Sequence, residues 1–200
     1  MAMLMHLTER SMFENCLQVF YYSVIPFQQE DSPEVLGRSQ LMPKVLKFCR
    51  MIPNGRCIII CLELLCMAAR RLSERDIVQE VVPFLQFLHQ RSFDFPKSEP
   101  LKVETLTYRV MYNALETGVL KAANIPREWM DVMLEEFRTR DNPAVLSELT
   151  YFFCLVHTNC NVEHFQHLLE ELITRAEKIM PEKIEMIAFI RENMTALRCV

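Results

Sequence analysis

The chain has 200 residues, of which 50% are hydrophobic and 24% charged, enough for one buried core or for one block of a larger repeat array. Its formal net charge of −4 argues against a general polyanion-binding surface. Three glycines, at 37, 55 and 118, with no Gly-x-Gly, exclude the standard phosphate loops, dinucleotide turns and nucleophile elbows.

The first predicted helix covers residues 11–24, with Ser11 and Glu14 in a capping-box pattern and Phe13, Leu17, Phe20 and Tyr21 on one face. Cys16, Val19 and Tyr22 widen that stripe, which predicts cover on more than one side. Residues 26–38, with two prolines and Gly37, read as a loop. A second helix, 39–51, tolerates Pro43 in its opening turn and carries Lys44, Lys47 and Arg50 as a basic stripe. The third, 56–72, is apolar around nearly its whole circumference, which predicts central burial. Its run Ile58-Ile59-Ile60 suits a strand, but the apolar pattern continues too long for one. Ser73 and Asp76 start a fourth helix through Gln90, in which Pro83 predicts a kink against the carbonyl of Gln79.

Polar, proline-bearing residues then suggest a boundary: an N-terminal subdomain 1–92, a linker 93–100 and a C-terminal subdomain 101–200, unless the whole forms one continuous domain. A long helix follows over 101–123, with Gly118 at a close approach or a break. Next come 127–138, carrying Trp129, and a helix capped by Asn142-Pro143 that runs through His157. Residues 148–181 read as a helical hairpin whose second helix starts at Asn161 and ends at Pro181, and 182–196 as a last helix. The tally is about nine helices with no strand. It predicts an all-α fold of stacked antiparallel hairpins, α-solenoid-like.

Leu106-Thr107-Tyr108 and Leu149-Thr150-Tyr151 repeat one tripeptide 43 residues apart, each on the first helix of a pair. On that opening, the helical pair and the closing proline, residues 149–181 resemble a pentatricopeptide-type repeat, residues 106–143 resemble it loosely, and the first half matches only as helix pairs, the grammar of the looser tetratricopeptide-like solenoids. The first likeness implies RNA association and the second protein binding. RNA-reading repeats carry a small polar residue at the fifth position of the first helix. Here Val110 and Phe153 stand there, so base-by-base reading is not expected. The helical texture is also similar to the C-terminal region of the germ-cell Topaz family, which implies germ-cell RNA regulation in spermatogenesis.

Eight cysteines, mostly inside apolar segments, suggest free thiols in a reducing compartment, the cytoplasm ahead of the nucleus. The first ten residues lack a signal-peptide pattern, and the longest apolar stretch, 57–69, is too short to span a bilayer. Cys154, His157, Cys160 and His164 form the one Cys/His cluster with ligand-type residues, a candidate for zinc or for a Cys–His nucleophile. A helix end, a turn and the next helix's first turn produce the same spacing without metal, so no metal or cofactor is expected. The paired acids sit on polar helix faces, where hydration is their ordinary role. Candidate partner contacts are Lys44, Lys47, Arg50, Arg70, Arg71 and Arg75, whose convergence would favour RNA backbone, and Trp129, a residue type enriched at hot spots. The expected function is a non-enzymatic scaffold or adaptor binding another protein. An RNA-associated repeat without DNA sequence reading is the alternative, and a metal protein or Cys/His enzyme the third reading.

Overall fold

The computed structural model describes residues 10–24, 41–51, 55–90, 100–159 and 174. Among them are seven helices and no strand. These are α1 (Arg10–Val24), α2 (Leu41–Met51), α3 (Gly55–Ala68), α4 (residues 74–89), α5 (Pro100–Glu116), α6 (Arg127–Thr139) and α7 (Pro143–Asn159). They match, in order, the first seven helices expected from periodicity. The helix expected after Asn161 and the final one, 182–196, lie outside the described residues, apart from Thr174, which is helical. The chain divides into two compact units, Met1–Leu120 and Lys121–Val200. Helix α5, which follows the proline-bearing segment, belongs to the first.

In the first unit α3 is the hub, packed against α1, α2 and α5. Nine of its residues are buried, from Cys57 to Ala68, as its all-round apolar pattern requires. The helix stops at Ala68, a turn earlier than periodicity suggests. There the amides of Arg71 and Leu72 both bond the Ala68 carbonyl (2.8 and 3.1 Å), tightening the chain into a turn with Leu72 still buried. Ser73 then caps α4, its hydroxyl accepting from the Asp76 amide at 3.1 Å. Cys49 of α2 and Cys57 and Cys61 of α3 are buried together. A hydrogen bond with Cys49, then burial, pushes the Cys61 thiol well up from its ordinary range.

The disturbance expected at Pro83 takes the form of a change of helix type just before it. Between Glu74–Asp76 and Val82–His89, α4 widens into a π-helical segment, Ile77–Val81, where the Val82 amide reaches back to the Ile77 carbonyl. One residue is thus accommodated before the proline, which supplies no amide and sits exposed at the start of the regular turns that follow. The side of the widened segment is secured from α2: Arg50 donates to the Glu80 carbonyl at 2.9 Å.

Helices α3 and α5 are joined by a ladder of polar contacts. Lys102 pairs with Glu63 at 2.6 Å, the Cys66 thiol faces the Leu106 carbonyl at 3.7 Å, and Asn113 donates to the Cys66 carbonyl at 2.9 Å. Arg70 closes it with an ion pair to Glu116. Partners advance together along both helices, so α3 and α5 run parallel. The same holds for α1 and α3: the Gln18 amide oxygen accepts from the Arg56 guanidinium, and the Tyr21 hydroxyl donates to Glu63.

Helix α5 ends at Glu116 rather than running to 123, because Gly118 takes φ +71°, a left-handed conformation that stops a helix. The amides of Gly118 and Leu120 turn back onto the carbonyls of Leu115 and Ala114 (3.0 and 2.9 Å).

In the second unit, a 3-10 turn (Ala122–Asn124) precedes α6, which buries Trp129, Met130, Met133 and Phe137. Asn142 caps α7 as its sequence indicates, its side-chain oxygen accepting from the amides of Ala144 and Val145 (3.0 and 3.2 Å). Phe137 meets Phe153 edge-on at 6.2 Å between centroids. The repeated tripeptide has one role in both places. Leu106 and Leu149 are buried, and the buried hydroxyls of Thr107 and Thr150 bond the carbonyl four residues back, Val103 and Leu146 (2.8 and 2.6 Å). The tyrosines differ: Tyr108 is fully buried with its hydroxyl 3.3 Å from His89 Nε2, whereas Tyr151 is exposed.

Candidate functional site

A cleft of about 300 Å³ opens on the first unit where α1, α3 and the start of α5 meet. Helical spacing builds it. Gln18, Tyr21 and Tyr22 come from one side of α1, and Arg56, Ile59, Ile60 and Glu63 recur at intervals of three or four along α3. Lys102 closes it from the first turn of α5. The nearly buried Ile59 and Ile60 are its apolar lining, and the rings of Tyr21 and Tyr22 stand edge-to-face at 5.5 Å. Glu63 is held between the Lys102 ammonium and the Tyr21 hydroxyl. Burial, and then that hydrogen bond, pushes the Tyr21 phenol up to about 12. The phenol therefore stays a neutral donor across the physiological range.

The outer side of α1 is open. Val19 and Tyr22, three residues apart, are 67% and 65% exposed, so the widened apolar stripe is not covered on this side as expected. Met51 at the end of α2 is similarly open at 68%.

The basic candidates divide by what they touch. Lys44 and Lys47 are exposed on α2, but Arg50 turns onto α4, bonding the Glu80 carbonyl with its guanidinium 5.9 Å from the Phe84 ring centroid. Arg70 is engaged by Glu116 and lies 3.5 Å from the Asn113 side-chain oxygen. Arg75 donates to Gln79 one turn along its own helix, and Arg71 is exposed. Trp129 is 2% exposed, a core residue of the second unit. Val110 and Phe153, at the positions where RNA-reading repeats carry small polar residues, are also buried.

Of the Cys/His cluster, Cys154 is buried on α7, where desolvation pushes its thiol up to about 12, and His157 lies in the same helix. Cys160 and His164 lie outside the described residues. Among the described residues no three His, Cys, Asp or Glu side chains are grouped to hold a metal ion, and no helix is long and apolar enough to cross a membrane. The cleft residues were not among the candidates that sequence reading produced. Their one signal is the Tyr21-Tyr22 pair, which overfills the apolar stripe of a short helix. No protein-family model, curated protein or solved structure matches this chain.

Proposed function

We propose that the chain is a non-enzymatic helical-repeat scaffold, built from stacked antiparallel hairpins, that binds another protein. The observation that carries this reading is the parallel succession of α1, α3 and α5. Six polar contacts link residues 38 to 47 positions apart along the chain, from Gln18 with Arg56 to Cys66 with Asn113. That advance brackets the 43-residue spacing of the Leu-Thr-Tyr tripeptide. Equivalent helices following one another at a similar advance are the arrangement of tetratricopeptide-like solenoids, and they present a continuous surface to a partner. A reducing intracellular setting goes with this reading, consistent with the unbridged cysteines Cys16, Cys49, Cys57, Cys61, Cys66 and Cys154.

The test is capture from a cell lysate on the immobilised chain, with and without ribonuclease. Protein partners that persist after nuclease treatment, and are lost with Val19→Glu, support the scaffold. Recovery that collapses on nuclease treatment overturns it in favour of an RNA-associated repeat acting through Lys44 and Lys47.

A further inference from the structure

We propose that Ser73, in the turn between α3 and α4, is the phosphate acceptor for a serine kinase whose acidic peptide groove selects arginine two and three residues before the target hydroxyl. Ser73 and its arginines lie on a surface that the scaffold reading leaves unused. The segment reads Arg70-Arg71-Leu72-Ser73-Glu74-Arg75-Asp76. Charge patterns around the acceptor are how kinases tell substrates apart, and a groove lined with carboxylates fits two guanidinium forks. The fold presents this pattern. Residues 69–73 lie between the helices, and Ser73 has an extended backbone (φ −71°, ψ 153°). Arg70, Arg71, Ser73, Glu74 and Arg75 are all exposed, whereas Ser147 on α7 is buried.

The resting contacts are ones a kinase can exchange. Arg70 pairs with Glu116, but the two side chains are 51% and 40% exposed, and pairs so open to water hold weakly. In the groove one carboxylate replaces another. The Ser73 hydroxyl donates to Asp76 Oδ2 at 2.7 Å, an exposed bond. Leu72 alone of residues 70–75 is buried, so docking needs a local opening at that side chain. Transfer forms a bond from Ser73 Oγ to the γ-phosphorus of ATP and breaks that phosphorus's bond to the bridging oxygen, which leaves with ADP. The hydroxyl proton passes to the kinase's catalytic aspartate. The product adds a charge of about −1.5 to −2. Residues 70–76 carry three arginines and two acids, so the phosphate reverses the sign of the turn and repels anions that it would otherwise attract.

The full chain is incubated with Mg-ATP and the catalytic subunit of cyclic-AMP-dependent protein kinase, an arginine-directed enzyme, and the labelled position is mapped by mass spectrometry. Ser73 should be labelled, and Arg70→Gln and Arg71→Gln should each slow labelling roughly tenfold or more. Glu116→Gln breaks the same ion pair as Arg70→Gln but keeps the motif, and should not slow it. Equal slowing by Glu116→Gln would show that Arg70 acts through the fold and would overturn the assignment. Ser73 left unlabelled, or labelled at the parent rate in both arginine variants, overturns it too. Asp76, three residues after Ser73, is the mark an acid-directed kinase reads. Faster labelling of Ser73 by casein kinase 2 than by the arginine-directed enzyme therefore also overturns it.

Discussion

The guanidinium of Arg50 and the main-chain carbonyl of Glu80 are bonded at 2.9 Å across two helices, and the Phe84 ring lies 5.9 Å beneath the guanidinium carbon. Arg50 belongs to a basic stripe that a phosphate backbone could meet, yet its contacts are internal, to the widened turn of α4. Arg50→Ala should therefore cost about 1–3 kcal/mol, because it removes a charge-assisted hydrogen bond and a cation–π contact. Lysine at this position keeps the charge but cannot reproduce the planar fork, so Arg50→Lys should recover only part of the loss. Lys44→Ala and Lys47→Ala, on exposed side chains, should stay within about 0.5 kcal/mol. Urea midpoints of the four variants check this. An unchanged midpoint for Arg50→Ala would return that side chain to the surface available to a partner.

Asn113 is a second internal tie. It donates to the Cys66 carbonyl at 2.9 Å, near the C-terminal end of α3, and is 8% exposed. Carbonyls in a helix's last turn have no partner further along the helix. Asn113→Ala should cost about 1–3 kcal/mol, since it removes the donor while the carbonyl stays where water is scarce. Asn113→Asp exchanges that donor for a carboxylate facing a carbonyl, which Arg70 only partly offsets. Its loss should be no smaller. Thermal unfolding of the two variants beside the parent chain would show an inverted order if the Arg70 contact dominated.

Much of this architecture was legible in local sequence. The starts of the seven helices follow from 3.6-residue periodicity and from caps such as Ser73 and Asn142, whose side chains act within a turn of their own position. What local sequence does not carry is how a conflict inside a helix is resolved. Pro83 announces trouble, but not that the chain widens just ahead of it, nor that Arg50, 33 residues earlier, bonds a carbonyl of the widened segment. The cleft is illegible for a related reason. Its walls come from helices whose facing residues are about 40 positions apart, and periodicity identifies an apolar stripe without telling which part a neighbour will cover. The excess width of the α1 stripe at Val19 and Tyr22 read as extra burial, and it is the part left open.

Gly118 separates a conformational requirement from a packing one. A Cβ added there would meet nothing within 4 Å, but the backbone φ is +71°. Gly118→Ala should thus cost about 1–2 kcal/mol through backbone strain alone. Gly118→Asn should cost less, because asparagine tolerates the left-handed region. Equal losses for alanine and asparagine in denaturant unfolding would mean that crowding, not backbone strain, limits the site.

Cys154 supplies a pH dependence with a definite sign. Burial pushes its thiol from 9.0 up to about 12 in the folded chain. Below pH 9 the thiol is protonated in both folded and unfolded states, and its contribution to stability is fully present. Between pH 9 and about 12, unfolding releases a proton, so stability falls as pH rises, by up to about 1.4 kcal/mol per pH unit. Cys154→Ala removes that titration along with a modest amount of packing. The stability difference between the parent chain and Cys154→Ala should therefore shift by roughly 2 kcal/mol in favour of the variant between about pH 8 and pH 10.5. Urea unfolding of both chains across that interval isolates the thiol from the tyrosines and lysines that titrate in each. A difference that stays flat would mean that the thiol ionises as readily in the folded chain as in the unfolded one, and that Cys154 is reached by solvent.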